Sequence, residues 1–260
     1  MSVLQVLAIY TIFTKTAFEA RPTDHAEWTP PHRKLNPETI HAGRPNAYGD
    51  VIEGDMLKPR EDRSAEGRLW PAENGTVTVP FVIGPALKNK TADIRGALEL
   101  ISQKTCVVFE ERTTETDYLE LVIGDGCASS VGHCGRRQLV FIGKKCAMGN
   151  ICHELLHALG FYHEHARGDR DDYITVQYQN IKPGKKEEFF KKDIDNQGLP
   201  YDLNSIMHYG SQSSCREPES RVIVGERDTS GPTTLRSNVY IHCHNPGLVL
   251  ATTTVGEAKL

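Results

Sequence analysis

The chain has 260 residues, 38% of them hydrophobic and 25% charged, with a formal net charge of -4. That is enough for one sizeable domain and a short accessory segment. No basic run exceeds "GKK" or "KKD", which excludes nucleic acid as an expected partner.

The N-terminus, "MSVLQVLAIYTIFTKTAFEA", carries an uncharged, mostly apolar run from Val3 to Phe13. It is too short to span a bilayer and reads as the h-region of a secretory signal, residues 1–20, with cleavage near Ala17 or Ala20. A buried first strand or helix is the alternative. Residues 21–75 are rich in Pro, Gly and charge and lack apolar periodicity. They read as a loosely folded extension with basic cleavage points at Arg60 and Arg63.

Strand patterns begin at "TVTVPFVIG" (76–84) and recur at "CVVFEER" (106–112), "YLELVIG" (118–124) and "QLVFIG" (138–143), each bounded by turn residues. A helix is predicted over 90–104, where Ile94, Leu98 and Ile101 share a face, and a second over about 147–159. Beyond it the pattern is irregular, and the last 50 or so residues show little periodicity. The seven cysteines form no CxxC pair, so they read as disulfides with one thiol left over. "NGT" at Asn74 and "NKT" at Asn89 are candidate glycosylation sites, with unmodified surface loops as the alternative.

The chemistry concentrates in "HELLHALGFYHEHARGDR", residues 153–170. On a helix His153 and His157 lie about 40° apart around the axis, one turn from each other, the spacing that lets two imidazoles share one tetrahedral metal. Glu154 stands beside these ligands, where it can hold a zinc-activated water and take its proton. Gly160 can adopt φ > 0 and end the helix, so that the chain turns back and His163 reaches the same metal. Three neutral imidazoles leave a position open, the mark of a catalytic rather than a structural zinc site. The alternative is a set of unrelated histidines on an amphipathic helix.

HExxHxxGxxH is the metzincin signature, and its continuation "GFYHEHARGDRDDYITV" resembles the astacin family of zinc endopeptidases. "SIMHYG" at 205–210 resembles that family's Met-turn and tyrosine. The resemblance implies an α+β, two-lobed metzincin domain over residues 64–212. A twisted sheet with a backing helix and the zinc helix lies above; an irregular lower lobe carries the Met-turn below. It implies one Zn2+ per chain on His153, His157 and His163, Met207 beneath it, and Tyr209 as a swinging residue that stabilises the oxyanion. It implies that Glu164 is buried against the mature N-terminal amine, and that Cys127 pairs with Cys146. Cys106 resembles a family cysteine that pairs near the C-terminus, where Cys215 or Cys243 is available. The "EGDM" core of "AYGDVIEGDML" resembles the inhibitory prosegment motif, which assigns residues 21–63 to a prosegment and makes Asp55 its zinc ligand, with Asp50 as internal rival. Ser64 is the preferred mature N-terminus and Glu61 the competitor. Residues 213–260 depart from the family pattern and read as an atypical tail.

The resulting expectation is a secreted zinc endopeptidase, made as a zymogen and activated by a protease cutting near Arg60 or Arg63. Its partners are protein or peptide substrates, with no nucleic acid and no membrane span. The competing reading is a catalytically silent, secreted binding protein stapled by zinc. A cytosolic metal-dependent protein is disfavoured by the signal-like start and the cysteines.

Overall fold

The structure is a computed structural model. It describes residues 54–57, 69–194, 196 and 199–225, and the backbone of 51–52, 239–244 and 247–252. The signal-like start, Asp50, Arg60, Arg63 and Ser64 lie outside the described residues.

The strands in chain order are β1 (Val51–Ile52), β2 (Met56–Leu57), β3 (Ala72–Glu73), β4 (Thr76–Ile83), β5 (Val107–Glu111), β6 (Tyr118–Gly124), β7 (Ala128–Ser129) and β8 (Arg137–Gly143). These eight make one mixed sheet in the order β1-β2-β7-β8-β6-β4-β3, with β5 on the other side of β4. Strands β4, β5, β6 and β8 run parallel, and β7 runs antiparallel to β8. Parallel neighbours require crossovers. Helix α1 (Thr91–Lys104) supplies the one between β4 and β5 and is the backing helix.

Alternation drives the sheet's packing. Val77, Val79 and Phe81 of β4 are buried on one face, while Thr76 and Thr78 face out. Ile94, Ala97, Leu98 and Ile101 form the buried stripe of α1 against them. Helix α2 (Met148–Leu159) is buried on every side from Gly149 to Leu159. It therefore lies inside the molecule rather than on its surface. Its sequence is correspondingly apolar outside the polar residues of the site.

The chain below α2 uses short 3-10 turns and the antiparallel pair β9 (Ile174–Val176) and β10 (Ile223–Gly225). A second core forms there from Ile174, Ile181, Phe189, Tyr209, Cys215, Val222 and Ile223. Residues through Gly225 thus complete the lower lobe. The strands β11 (Val239–His244) and β12 (Gly247–Thr252) form a further antiparallel hairpin in a stretch that shows little periodicity as sequence. Among the described residues no helix is long and apolar enough to cross a membrane.

Candidate active site

Helix α2 delivers the first two imidazoles. Its N-terminus is fixed by the Asn150 side chain, whose Oδ1 accepts the Ala147 N–H at 3.0 Å. Its C-terminus is closed by Gly160 at φ 115°, a left-handed conformation that costs glycine nothing. Carbonyls at that end, orphaned in an isolated helix, find partners: the Trp70 indole N–H donates to Ala158 O at 2.9 Å, and the Gly132 N–H to His157 O at 2.9 Å.

The histidine tautomers follow from their partners. His153 Nδ1 donates to Ile206 O at 2.8 Å, and His157 Nδ1 to Phe161 O at 2.7 Å. A carbonyl only accepts, so Nδ1 carries the proton and the Nε2 lone pair points into the site. The turn after Gly160 brings His163 round. Its Nε2 lies 3.2 Å from that of His157 and 3.3 Å from that of His153. Burial holds the His157 imidazole down at about 4, so it is neutral, as a ligand must be.

The fourth corner comes from far upstream. Gly54, at φ 82°, turns the chain between β1 and β2, a hairpin that pairs Val51 with Leu57 and Ile52 with Met56. Strand β2 then joins the sheet beside β7, with Met56 opposite Ser129 and the Ser129 N–H donating to Asp55 O at 3.0 Å. This presents the Asp55 carboxylate to the imidazoles. Oδ1 lies 3.1 Å from His163 Nε2 and 3.6 Å from His157 Nε2, and Oδ2 lies 3.3 Å from His153 Nε2. Burial by itself pushes this carboxyl up, but the charge of His163 and the contacts of His153 and His157 hold it well below the usual carboxylate range.

This set fits zinc. A tetrahedral zinc with bonds of about 2.0–2.1 Å needs ligand-to-ligand edges of about 3.3 Å. Donor atoms of Asp55, His153, His157 and His163 all lie within 4.8 Å of one another. Both Asp55 oxygens are fully buried yet accept no hydrogen bond of good geometry, an arrangement that a cation at the centre of the cluster satisfies. Glu154, next to the ligands on α2, is also buried with both oxygens lacking a hydrogen bond. Burial first, and the Asp55 charge second, raise its carboxyl well above the usual range.

The segment 205–209 passes beneath. Ile206 O holds His153, and Met207 O accepts the Glu164 N–H at 2.9 Å. Met207 itself belongs to the main core. The Tyr209 ring lies 4.5 Å from that of His163 and stacks on that of His165 at 3.9 Å and 27°. The Cys127–Cys146 disulfide ties the start of β7 to the approach to α2.

The family model for astacin, a peptidase family, matches residues 62–235. The chain belongs to the astacin family. Its matched region is a zinc metalloendopeptidase domain, and the three histidines with Asp55 form a cluster able to hold one metal ion. This astacin is 38% identical over 175 residues to low choriolytic enzyme from Oryzias latipes, a match covering 64% of this chain and 65% of that one. It is 40% identical over 186 residues to an astacin-like metalloendopeptidase from Gallus gallus, covering 68% of this chain and 45% of that protein. Its fold matches the solved high choriolytic enzyme 1 of Oryzias latipes, described as a hatching enzyme zinc-protease. The TM-score is 0.60 at 35% identity, and the match covers 68% of this chain and 89% of that one. The two-lobed α+β fold read from the motifs is therefore the observed one.

Several contacts in this astacin carry no sequence signal. Glu164 is buried, and its Oε1 accepts from Arg167 Nη1 and from the Asp202 N–H, both at 2.9 Å. Arg167 is thus the observed cationic partner of Glu164. The same guanidinium reaches Asp169, Leu199 O and Pro200 O. Tyr201 and His208 join the network through a 2.7 Å hydrogen bond. Cys106 is disulfide-bonded, while Cys215 is a free thiol and is not its partner; the Cys243 side chain lies outside the described residues. Cys152 is a buried core thiol, pushed up to about 12 by burial, and Cys134 is half-buried, with its thiol 3.7 Å from Gly132 O.

Proposed function

We propose that this chain is the zymogen of a secreted endopeptidase, held latent by Asp55 and released by cleavage near Arg60 or Arg63. The observation that carries this reading is the Asp55 carboxylate, fully buried at 3.1–3.6 Å from three converging imidazoles. A carboxylate there takes the position that a catalytic zinc site leaves open for water and substrate. Once the chain is cut, that contact loses the advantage of its tether and the segment departs.

In the released enzyme, His153, His157 and His163 would hold the zinc, which would supply Lewis-acid chemistry to the scissile carbonyl and the attacking water. Glu154 takes a proton from that water as its oxygen adds to the carbonyl carbon. The same carboxyl then delivers the proton to the amide nitrogen as the C–N bond breaks. Its burial supports the role, because a desolvated carboxylate binds a proton more tightly. Tyr209, beside His163, is the hydroxyl donor to the carbonyl oxygen as that atom gains charge. Met207 and Glu164 support the site from below through the Glu164 N–H bond to Met207 O. A silent, zinc-stapled protein has no use for a buried Glu154 with two unbonded oxygens.

The test is intact mass and N-terminal sequencing of the product from secretory cells, with hydrolysis of a generic protein substrate before and after processing. An uncut chain as active as the cut one overturns latency.

A further inference from the structure

Tyr209 has a ring that packs on two histidines and a main chain that something must hold. Its carbonyl oxygen accepts a 2.7 Å hydrogen bond from Nδ1 of the preceding residue, His208. That bond fixes the His208 tautomer, since the carbonyl cannot donate. Nε2 of His208 is then an acceptor, and the Tyr201 hydroxyl donates to it at 2.7 Å. Burial favours these states: His208 is held down at about 4 and stays neutral, and the Tyr201 phenol is pushed up and keeps its proton. With both nitrogens engaged, His208 has no lone pair for a metal.

Tyr201 is itself held on three sides. Its ring stacks on Tyr173 at 4.7 Å and 7°. The Arg167 guanidinium lies over it at 5.3 Å. Arg167 also binds the carbonyls of Leu199 and Pro200, the two residues before Tyr201, at 2.8 and 3.2 Å. The same guanidinium binds Glu164, which follows the ligand His163. A closed circuit of contacts therefore runs from His163 through Glu164, Arg167, Tyr201 and His208 back to Tyr209, whose ring lies 4.5 Å from that of His163.

We propose that Tyr201 is a positioning residue for Tyr209, acting through His208. The relay clamps the Tyr209 main chain, so that the phenol changes place by side-chain rotation alone and returns to one position over the reacting carbonyl. The geometry demanded of an oxyanion donor is tight, about 2.7–3.1 Å from the oxygen as it becomes charged. A drifting main chain lengthens that contact. The inference rests on the reading of Tyr209 as oxyanion donor given above.

The test compares Tyr201→Phe, Tyr209→Phe and the double variant in the processed full chain. Tyr201→Phe keeps the ring stack and removes only the hydroxyl. It is expected to lower kcat about fivefold to tenfold, the effect of one neutral hydrogen bond acting in the transition state, with KM within about twofold. Zinc content and thermal midpoint should match the parent. In the Tyr209→Phe background it should cost nothing further, because the two changes act on one contact. His208→Gln breaks the same relay from the other end. It should give the same non-additive pattern, which covers the case of a Tyr201 variant that fails to fold. A kcat loss that multiplies in the double variant marks a general structural role and overturns the proposal. A slowed Tyr209→Phe with an unchanged Tyr201→Phe also overturns it, leaving the role of Tyr209 intact. An unchanged Tyr209→Phe removes that role and the proposal with it.

Discussion

Asp55 Oδ1 stands 3.1 Å from His163 Nε2, although Asp55 precedes β2 and His163 lies beyond the end of α2. The main-chain bond from Ser129 to Asp55 O holds this approach in register. Replacing Arg60 and Arg63 keeps the chain uncut. In that background Asp55→Ala is expected to give partial peptidase activity, while Asp50→Ala leaves the chain latent. Equal latency of the two variants removes Asp55 as the switch. The assay is hydrolysis of a generic protein substrate by purified, uncut chain.

Glu154→Gln tests the base. The amide keeps size and hydrogen-bonding capacity but accepts no proton. Zinc should stay near one per chain, since His153, His157 and His163 are untouched. Turnover should fall by about 10² or more. Wild-type turnover with zinc in place defeats the assignment.

Much of the site was legible because helical geometry converts spacing into direction. His153 and His157 are one turn apart on α2, and Gly160 ends that helix at φ 115°. Strands β4, β6 and β8 were legible because their apolar residues cluster between turn signals. The strand after Asp55 was not: β2 is two residues long, and its pairing with Ser129 is a non-local contact that no local pattern encodes. The lower lobe was hidden for a related reason. Short 3-10 turns have no long period, and β9 meets β10 across 46 intervening residues, so no local pattern encodes that pairing. Arg167 reads in sequence as one more charge after a histidine. Only the fold brings Glu164, Leu199 O and Pro200 O around it.

Metal removal should separate the uncut and cut chains. On the proposed reading, three imidazoles hold zinc in the cut enzyme, while Asp55 supplies a fourth donor in the uncut chain. A chelator should abolish the activity of the cut enzyme, and added zinc should restore it. Zinc should leave the uncut chain more slowly than the cut one, read with a chromophoric chelator. Equal release rates count against Asp55 as a ligand. Activity that survives complete stripping counts against zinc in the reaction.

The last prediction concerns Asp202, which turns the chain towards Ser205–Tyr209. Its Oδ1 accepts the Asn204 N–H at 2.8 Å, and its own N–H donates to the Glu164 carboxylate. Burial raises its carboxyl above the ordinary 3.8, and the Asn204 contact only partly offsets this. The sign follows from linkage. Between its unfolded and folded values the native chain binds more of this proton than the unfolded chain, so stability falls as pH rises through that window. Above it the cost is constant. Glu164 is also raised by burial and acts in the same direction, with Arg167 opposing it, and both groups remain when Asp202 alone is changed. Asp202→Asn keeps an Oδ1 acceptor for Asn204 and removes the charge. It should stabilise the protein at pH 7.5, where the buried charge is present in the parent, and raise its Tm. The gap should close as pH falls through the raised value towards the ordinary 3.8, as Asp202 regains its proton. Thermal melts of the two proteins from pH 4 to 8 give the curve. A gap that is independent of pH, or one that widens towards acid, contradicts the assignment.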